Sequence, residues 1–212
     1  MNARWQDTPA AVFLRLLADL MIINLLALIC SFGVISIGAS LSAMYAVLFR
    51  REWSEGMVDA IKTFFRAFAG NFFKATALEL IVALVAAVAG VDVWFAVNSE
   101  QPLRTVYLVV GTIIALLALV LFVMAFPQQS IYRNSIWNYL KNSIMLALCA
   151  PGQLLLALAA WILPWYLAFS IPEIITQFGV LYLLWGFSFP AWCTVKLLKK
   201  VFDRTKQDDE ET

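Results

Sequence analysis

The chain of 212 residues contains no histidine, and only 14% of its residues are charged. The missing histidine removes the Ser-His and Cys-His nucleophile pairs together with the HExxH zinc site. A soluble domain carries about 25% charged residues, so this chain is poor in the groups that a water-facing surface uses. Cysteine is scarce too. Cys30, Cys149 and Cys193 lie far apart within apolar runs, with no CxxC or Cys/His ligand spacing. They read as buried small hydrophobes. Lys plus Arg totals 15 and Asp plus Glu totals 14, so no basic excess points to nucleic acid.

What is abundant is apolar. Hydrophobic residues make up 63% of the chain, and the mean hydropathy is +0.84. A soluble domain is about 45–50% apolar, and no soluble fold of this size has the interior to hide the excess. The composition excludes a soluble globular enzyme, a disordered chain and a nucleic-acid binder. The length allows one compact membrane domain.

A helix needs about 20 apolar residues to cross the hydrocarbon. Five runs meet this: 16–37, 75–97, 106–126, 143–169 and 174–195. The first follows a segment holding Arg4, Asp7 and Pro9. It is longer than a signal-peptide core and shows no small-residue cleavage site, so it is expected to be retained. A sixth run, 37–49 (IGASLSAMYAVLF), rises only about 20 Å as a helix. It suits the second arm of a hairpin that turns inside the outer leaflet through residues 32–36. That hairpin puts both termini in the cytoplasm and gathers 14 of the 15 positive charges there, leaving only Arg104 outside. If the first run crossed alone, Arg4 and Arg15 would move outside. The hairpin is the preferred topology, and five spans with an outside N-terminus are the alternative. Trp94, Tyr107, Trp161, Trp165 and Tyr166 fall near the expected outer ends, and Trp53, Trp137 and Trp192 near the inner ones.

The expected organisation is a cytoplasmic segment 1–15, a membrane domain 16–195 and a charged tail 196–212. Amphipathic helices are expected near 54–70 and 128–141, along the inner interface. Asn71 and Asn142 each precede a span, and Asn71 is placed to cap one. FAGNFFKATAL and YLKNSIMLALC can be overlaid at that asparagine, either as an internal duplication or as two loops of the same kind. The tail begins with KLLKK, which suits anionic headgroups. It ends in DDEE, which reads as a solvated, disordered stub.

Polar residues inside the apolar runs are the candidate sites. Asp19 follows Arg15 by one turn, a pairing distance on a helix. Asn24 is deeper and suits an interhelical hydrogen bond. Glu79 pairs with Lys74, snorkels towards water, or serves a solute or proton path. Asp92 is near the outer end and is expected to be wetted. Pro151-Gly152-Gln153 breaks its helix, and Gln153 either lines a cavity or marks a kink. The candidates are thus Asp19, Asn24, Asn71, Glu79, Asn142 and Gln153. No paired-carboxylate site, metal cage or phosphate loop is present, so no catalytic residue, cofactor or metal is expected.

The stretch DLMIINLLALICSFGVISIGASLSAMYAVLFR resembles the opening of the YesL-like family of bacterial membrane proteins, through Asp19, Asn24, Leu25, Ser36, Ile37, Gly38, Ala39, Ala43 and Tyr45. FFRAFAGNFFKA is similar to its Phe-x-x-Phe-x-x-Asn-Phe motif, through Phe65, Phe68, Asn71 and Phe72. YLKNSIMLALCAP is similar to its Leu-Lys-Asn-Ser motif, through Leu140, Lys141, Asn142, Ser143 and Pro151. The family often carries proline before the turn, where this chain has Gly33. The resemblance implies a place beside carbohydrate ABC uptake systems, and it carries no catalytic residue over.

The expectation is therefore an all-α polytopic bundle of six helical segments in the bacterial plasma membrane. Its expected role is a non-enzymatic accessory component of carbohydrate uptake. Its expected partners are the lipid bilayer, a carbohydrate ABC transporter permease and a second copy of itself, with no nucleic acid. The alternative is a small-solute transporter or channel, which requires Asp19, Asn24, Glu79 or Gln153 to converge on one wet cavity.

Overall fold

A computed structural model describes residues 8–54 and 58–210, and the side chains of all of these except 172 and 204–210. Arg4, Glu55 and Met57, and the side chains of Arg204 and Lys206, lie outside the described residues. The described residues form eight α-helices and no strand. They are α1 (Pro9–Cys30), α2 (Ile37–Trp53), α3 (Ala60–Asn98), α4 (Leu103–Ile131), α5 (Ile136–Cys149), α6 (Pro151–Ser170), α7 (Pro172–Trp185) and α8 (Ser188–Glu210).

Local chemistry sets several of the helix starts. Thr8 caps α1 by accepting from Ala11 N at 3.4 Å, and Pro9 occupies the first turn, where its missing N–H costs nothing. Asp59 caps α3 through Lys62 N at 3.0 Å. Ser135 caps α5 through Asn138 N at 3.3 Å.

The sixth, short apolar run forms the centre of the molecule. α2 is buried on nearly every side, from Gly38 through Tyr45 and again from Val47 to Phe49. A helix enclosed all round must be apolar or small all round. Its Gly, Ala and Ser positions let α1, α3, α4 and α8 close in on it. α1 and α2 form the expected hairpin, joined by a short 3-10 turn (Ser31–Gly33). From Arg50 back to Ile37 the hairpin arm rises only about 20 Å, short of the ~30 Å hydrocarbon thickness. The turn abuts the middle of α3, a helix of 39 residues that is about 58 Å long.

Beyond that level the outer halves of α3 and α4 pack mainly on each other. Asp92 Cβ lies 2.9 Å from where a Cβ on Gly111 would stand, and Phe95 stacks on Tyr107 with centroids 5.5 Å apart. Their other faces expose apolar side chains, with Leu84 66% and Val97 72% exposed. So continuous an apolar surface belongs in lipid. Four helices are long and apolar enough to cross a membrane, and α7 with α8 makes a fifth if that bent pair counts as one span. This is an all-α membrane protein.

Several boundaries differ from the sequence expectation. From Ala60 on, the expected amphipathic stretch 54–70 and the span 75–97 merge into α3, because nothing between them breaks a helix; residues 55–57 lie outside the described residues. Asn71 therefore sits inside α3 and caps nothing. The stretch 128–141 is cut at residues 132–135, and Asn142 lies inside α5 behind its Ser135 cap. One asparagine thus lies in an unbroken helix and the other in a helix that stops at Cys149, so the two proposed repeat units differ in architecture. The run 143–169 divides at Ala150, where Pro151 starts a new helix, and 174–195 divides after Trp185 with a bend of 56°. The tail continues α8 to Glu210 instead of forming a disordered stub. Cys149 is exposed, and Cys30 and Cys193 are half-buried. A thiol is apolar enough to face lipid, so these positions need no protein shell. Trp161 is buried in the core and donates to Thr194 Oγ1 at 3.2 Å, so it is no part of an interfacial belt.

Gly38 marks the closest approach of α2 to α3. A Cβ there would stand 2.7 Å from Ala75 O and 2.8 Å from Glu79 Cβ, whereas one at Gly90 meets nothing within 4 Å. Gly38→Ala is expected to destabilise by about 1–3 kcal/mol through overpacking. Gly90→Ala is expected to be neutral or stabilising by up to about 1 kcal/mol. Thermal unfolding in detergent checks both, and equal behaviour of the two variants would contradict this packing.

Candidate functional site

Glu79, Asn24 and Asp19 fall at three separate places. The first is the hairpin turn. Ser36 gives its hydroxyl to Cys30 O, leaving the start of α2 without a side-chain cap of its own. α3 supplies what is missing. Glu79 Oε2 accepts from Gly38 N at 2.8 Å, and Thr76 Oγ1 donates to Ile35 O at 3.0 Å. A carboxylate at a helix N-terminus meets unsatisfied N–H groups and the positive end of the helix dipole. Glu79 is thus a cap supplied from another helix. Lys74 is not its partner, since that ammonium donates to Asn134 O at 3.0 Å.

The second place is the break between α7 and α8. Asn24 is fully buried in α1. Its Oδ1 accepts from Phe187 N at 3.0 Å and Ser188 N at 2.9 Å, and its Nδ2 donates to Leu183 O at 2.8 Å. Broken helices are tolerated at membrane depth only where the freed backbone groups find partners. One amide here serves both sides of the break, which fulfils the interhelical bond expected of Asn24. Trp185 Nε1 adds a bond to Leu17 O at 3.0 Å.

The third place is the end of the hairpin opposite its turn. Asp19 pairs with Arg51 on α2, not with Arg15. The antiparallel arm brings Arg51 to it. Next to this pair, Glu52 takes Lys196 at 2.7 Å and Lys199 at 3.8 Å, and Trp53 Nε1 donates to Asp203 Oδ1 at 3.0 Å. Two of the tail's lysines therefore hold α8 to α2 instead of lying free for headgroups.

Gln153 lies half-buried in the first turn of α6, away from all three places. Asp92 is half-buried, and its Oδ2 is enclosed without a hydrogen-bond partner instead of being wetted. Asp19, Asn24, Glu79 and Gln153 do not converge on a cavity.

The main concave feature lies at the charged end, where α2, α3, the α4–α5 loop and α5 meet. It encloses about 860 Å³ and is lined by Arg50, Arg66, Lys74 and Arg133 with Trp53, Asn71, Gln129, Ser130 and Tyr139 among others. Tyr139 holds the loop that carries Arg133: its hydroxyl donates to Tyr132 O at 2.6 Å and accepts from Asn134 N at 2.9 Å. Gln128 turns the other way, donating to Ser143 Oγ and Met124 O, each at 3.1 Å. Sequence reading placed Asn71 beside a span but did not find Gln128, Gln129 or the cavity. The cations that line it come from three elements, α2, α3 and the α4–α5 loop, and only the folded chain gathers them. Among the described residues no group of three or more potential metal ligands occurs.

Asn24→Leu keeps the volume and removes three hydrogen bonds, leaving buried backbone groups unmatched at about 1–3 kcal/mol each. The expected outcome is a large fall in thermal stability in detergent, well beyond that of an Asn71→Leu control inside α3. A fall no greater than the control's would show that Asn24 does not hold the α7–α8 break.

The family described as "Protein of unknown function, DUF624" matches residues 20–93, which cover the second half of α1, the turn, α2 and α3 as far as Val93. The chain is also similar to "Uncharacterized protein YteU" of Bacillus subtilis (strain 168), with 24% identity over 177 residues, 82% of this chain and 75% of that one. No solved structure matches. The stretch matched by the family model contains the hairpin turn and its Glu79 cap.

Proposed function

We infer that the chain is a non-enzymatic accessory component of bacterial carbohydrate uptake, seated in the plasma membrane with both ends of the α1–α2 hairpin in the cytoplasm. Its partner on this reading is a carbohydrate ABC transporter permease, met through the lipid-facing surface. The observation that carries the reading is the fate of the intramembrane polar groups. Asp19, Asn24 and Glu79 each end on a neighbouring helix, which leaves none of them to carry a solute or a proton. A transporter would need at least two of them on one wet path. The resemblance to the YesL-like family supplies the link to carbohydrate systems. The orientation follows from the basic residues gathered at one end.

The test is affinity purification of the tagged full chain from native membranes in mild detergent. Recovery of a carbohydrate ABC permease in stoichiometric amount is expected. A preparation with no transporter subunit would overturn the accessory role.

A further inference from the structure

We propose that the cavity at the charged end is a binding site for a phosphate-bearing anion, with cations and a buried amide in its lining. Arg50, Arg66, Lys74 and Arg133 all line it, and among the described residues no aspartate or glutamate does. Among the described residues none of these four makes a salt bridge. A smaller adjoining cavity shares Arg50 and Arg66 and adds Lys62 and Asp59, and that aspartate is engaged as the cap of α3. Four positive charges without a salt-bridge partner among the described residues, set around one concavity, repel each other and attract an anion, since a concave wall of one sign focuses the field.

Basic residues gather at one end of many membrane proteins, so charge alone would not define a site. Gln129 does. It is 2% exposed, it lines the cavity, and both its Oε1 and Nε2 lack a hydrogen-bond partner. A buried polar group left unpaired is costly, and native structures rarely keep one without a reason. The two donors on Nε2 match phosphate oxygens, and Oε1 matches a hydroxyl of an ester such as a glycerol or sugar phosphate. Arginine at three of the four cationic positions suits phosphate better than lysine would, because its fork bonds two oxygens at once. The walls also include Phe49 and Trp53, which give an attached apolar or ring portion a surface to lie on.

The same chemistry is offered by an anionic lipid headgroup and by a soluble phosphate ester. The full chain is reconstituted in nanodiscs of phosphatidylcholine alone or with phosphatidylglycerol. Each preparation is measured by thermal unfolding with and without sn-glycerol 3-phosphate, and by native mass spectrometry for retained lipid. A stabilising shift from phosphatidylglycerol with retained lipid assigns the headgroup, and a saturable shift from glycerol phosphate in neutral discs assigns the soluble ester. In either case Arg66→Gln and Arg133→Gln are expected to weaken binding about tenfold, the scale of one charge-assisted hydrogen bond. Lys200→Gln, an equal charge change on an exposed part of α8, is expected to leave binding unchanged. Gln129→Leu is expected to raise the unfolding temperature of the empty protein while shrinking the ligand-induced shift. That opposition separates a binding role from a folding defect. The proposal is overturned if neither probe shifts unfolding, or if Lys200→Gln weakens binding as much as Arg66→Gln.

Discussion

The structure depends on satisfying backbone polar groups at a chain reversal that has no water around it. The turn between α1 and α2 is apolar outside, with Phe32 almost wholly exposed, and it lies against the middle of a long apolar helix. Hydrocarbon offers no hydrogen bonds, so every N–H and C=O freed at such a turn needs a protein partner. Glu79 and Thr76 on α3 and Ser36 within the turn provide them. These bonds reach their targets only because Gly38 lets the start of α2 touch the α3 backbone. Once the turn is fixed, α2 is held in the centre and the other helices pack around it.

The same solution recurs at the α7–α8 break. There a single side chain on a distant helix, Asn24, completes the backbone on both sides. In both cases a polar residue that would be a candidate for transport is committed to holding the chain's own irregular backbone. Polar groups in membrane interiors are favourable only when paired. Asn24 and Glu79 are accordingly tied to backbone, while Arg50, Arg66, Lys74 and Arg133 collect around the cavity at the charged end of the bundle.

Much of the fold could be read from composition and run length. Apolar length gave the membrane class, and glycine and serine near residue 36 gave the hairpin. The interhelical role of Asn24 followed from an amide at depth. What stayed hidden depended on partners far away in sequence. Asp19 and Arg15 satisfy a helical pairing rule, but Arg51 on the opposite arm is the actual partner. Glu79 sits five residues after Lys74, yet the N–H of Gly38 claims it. Asn71 and Asn142 look like caps because apolar runs follow them. A helix already begun at Asp59 or Ser135 passes through such residues without stopping. The cavity was out of reach for the same reason: Arg50, Arg66, Lys74 and Arg133 have no common motif.

The most direct measurement is sided thiol labelling, with Cys30, Cys149 and Cys193 replaced by alanine and single cysteines introduced as Ala10→Cys, Ser54→Cys and Glu100→Cys. A membrane-impermeant maleimide is applied to intact cells and then to inverted vesicles. The hairpin predicts that Ala10→Cys and Ser54→Cys react from one face together, while Glu100→Cys reacts from the other. Labelling of Ala10→Cys and Ser54→Cys from opposite faces would mean that the first helix crosses alone, and α2 could not then occupy the centre of the bundle.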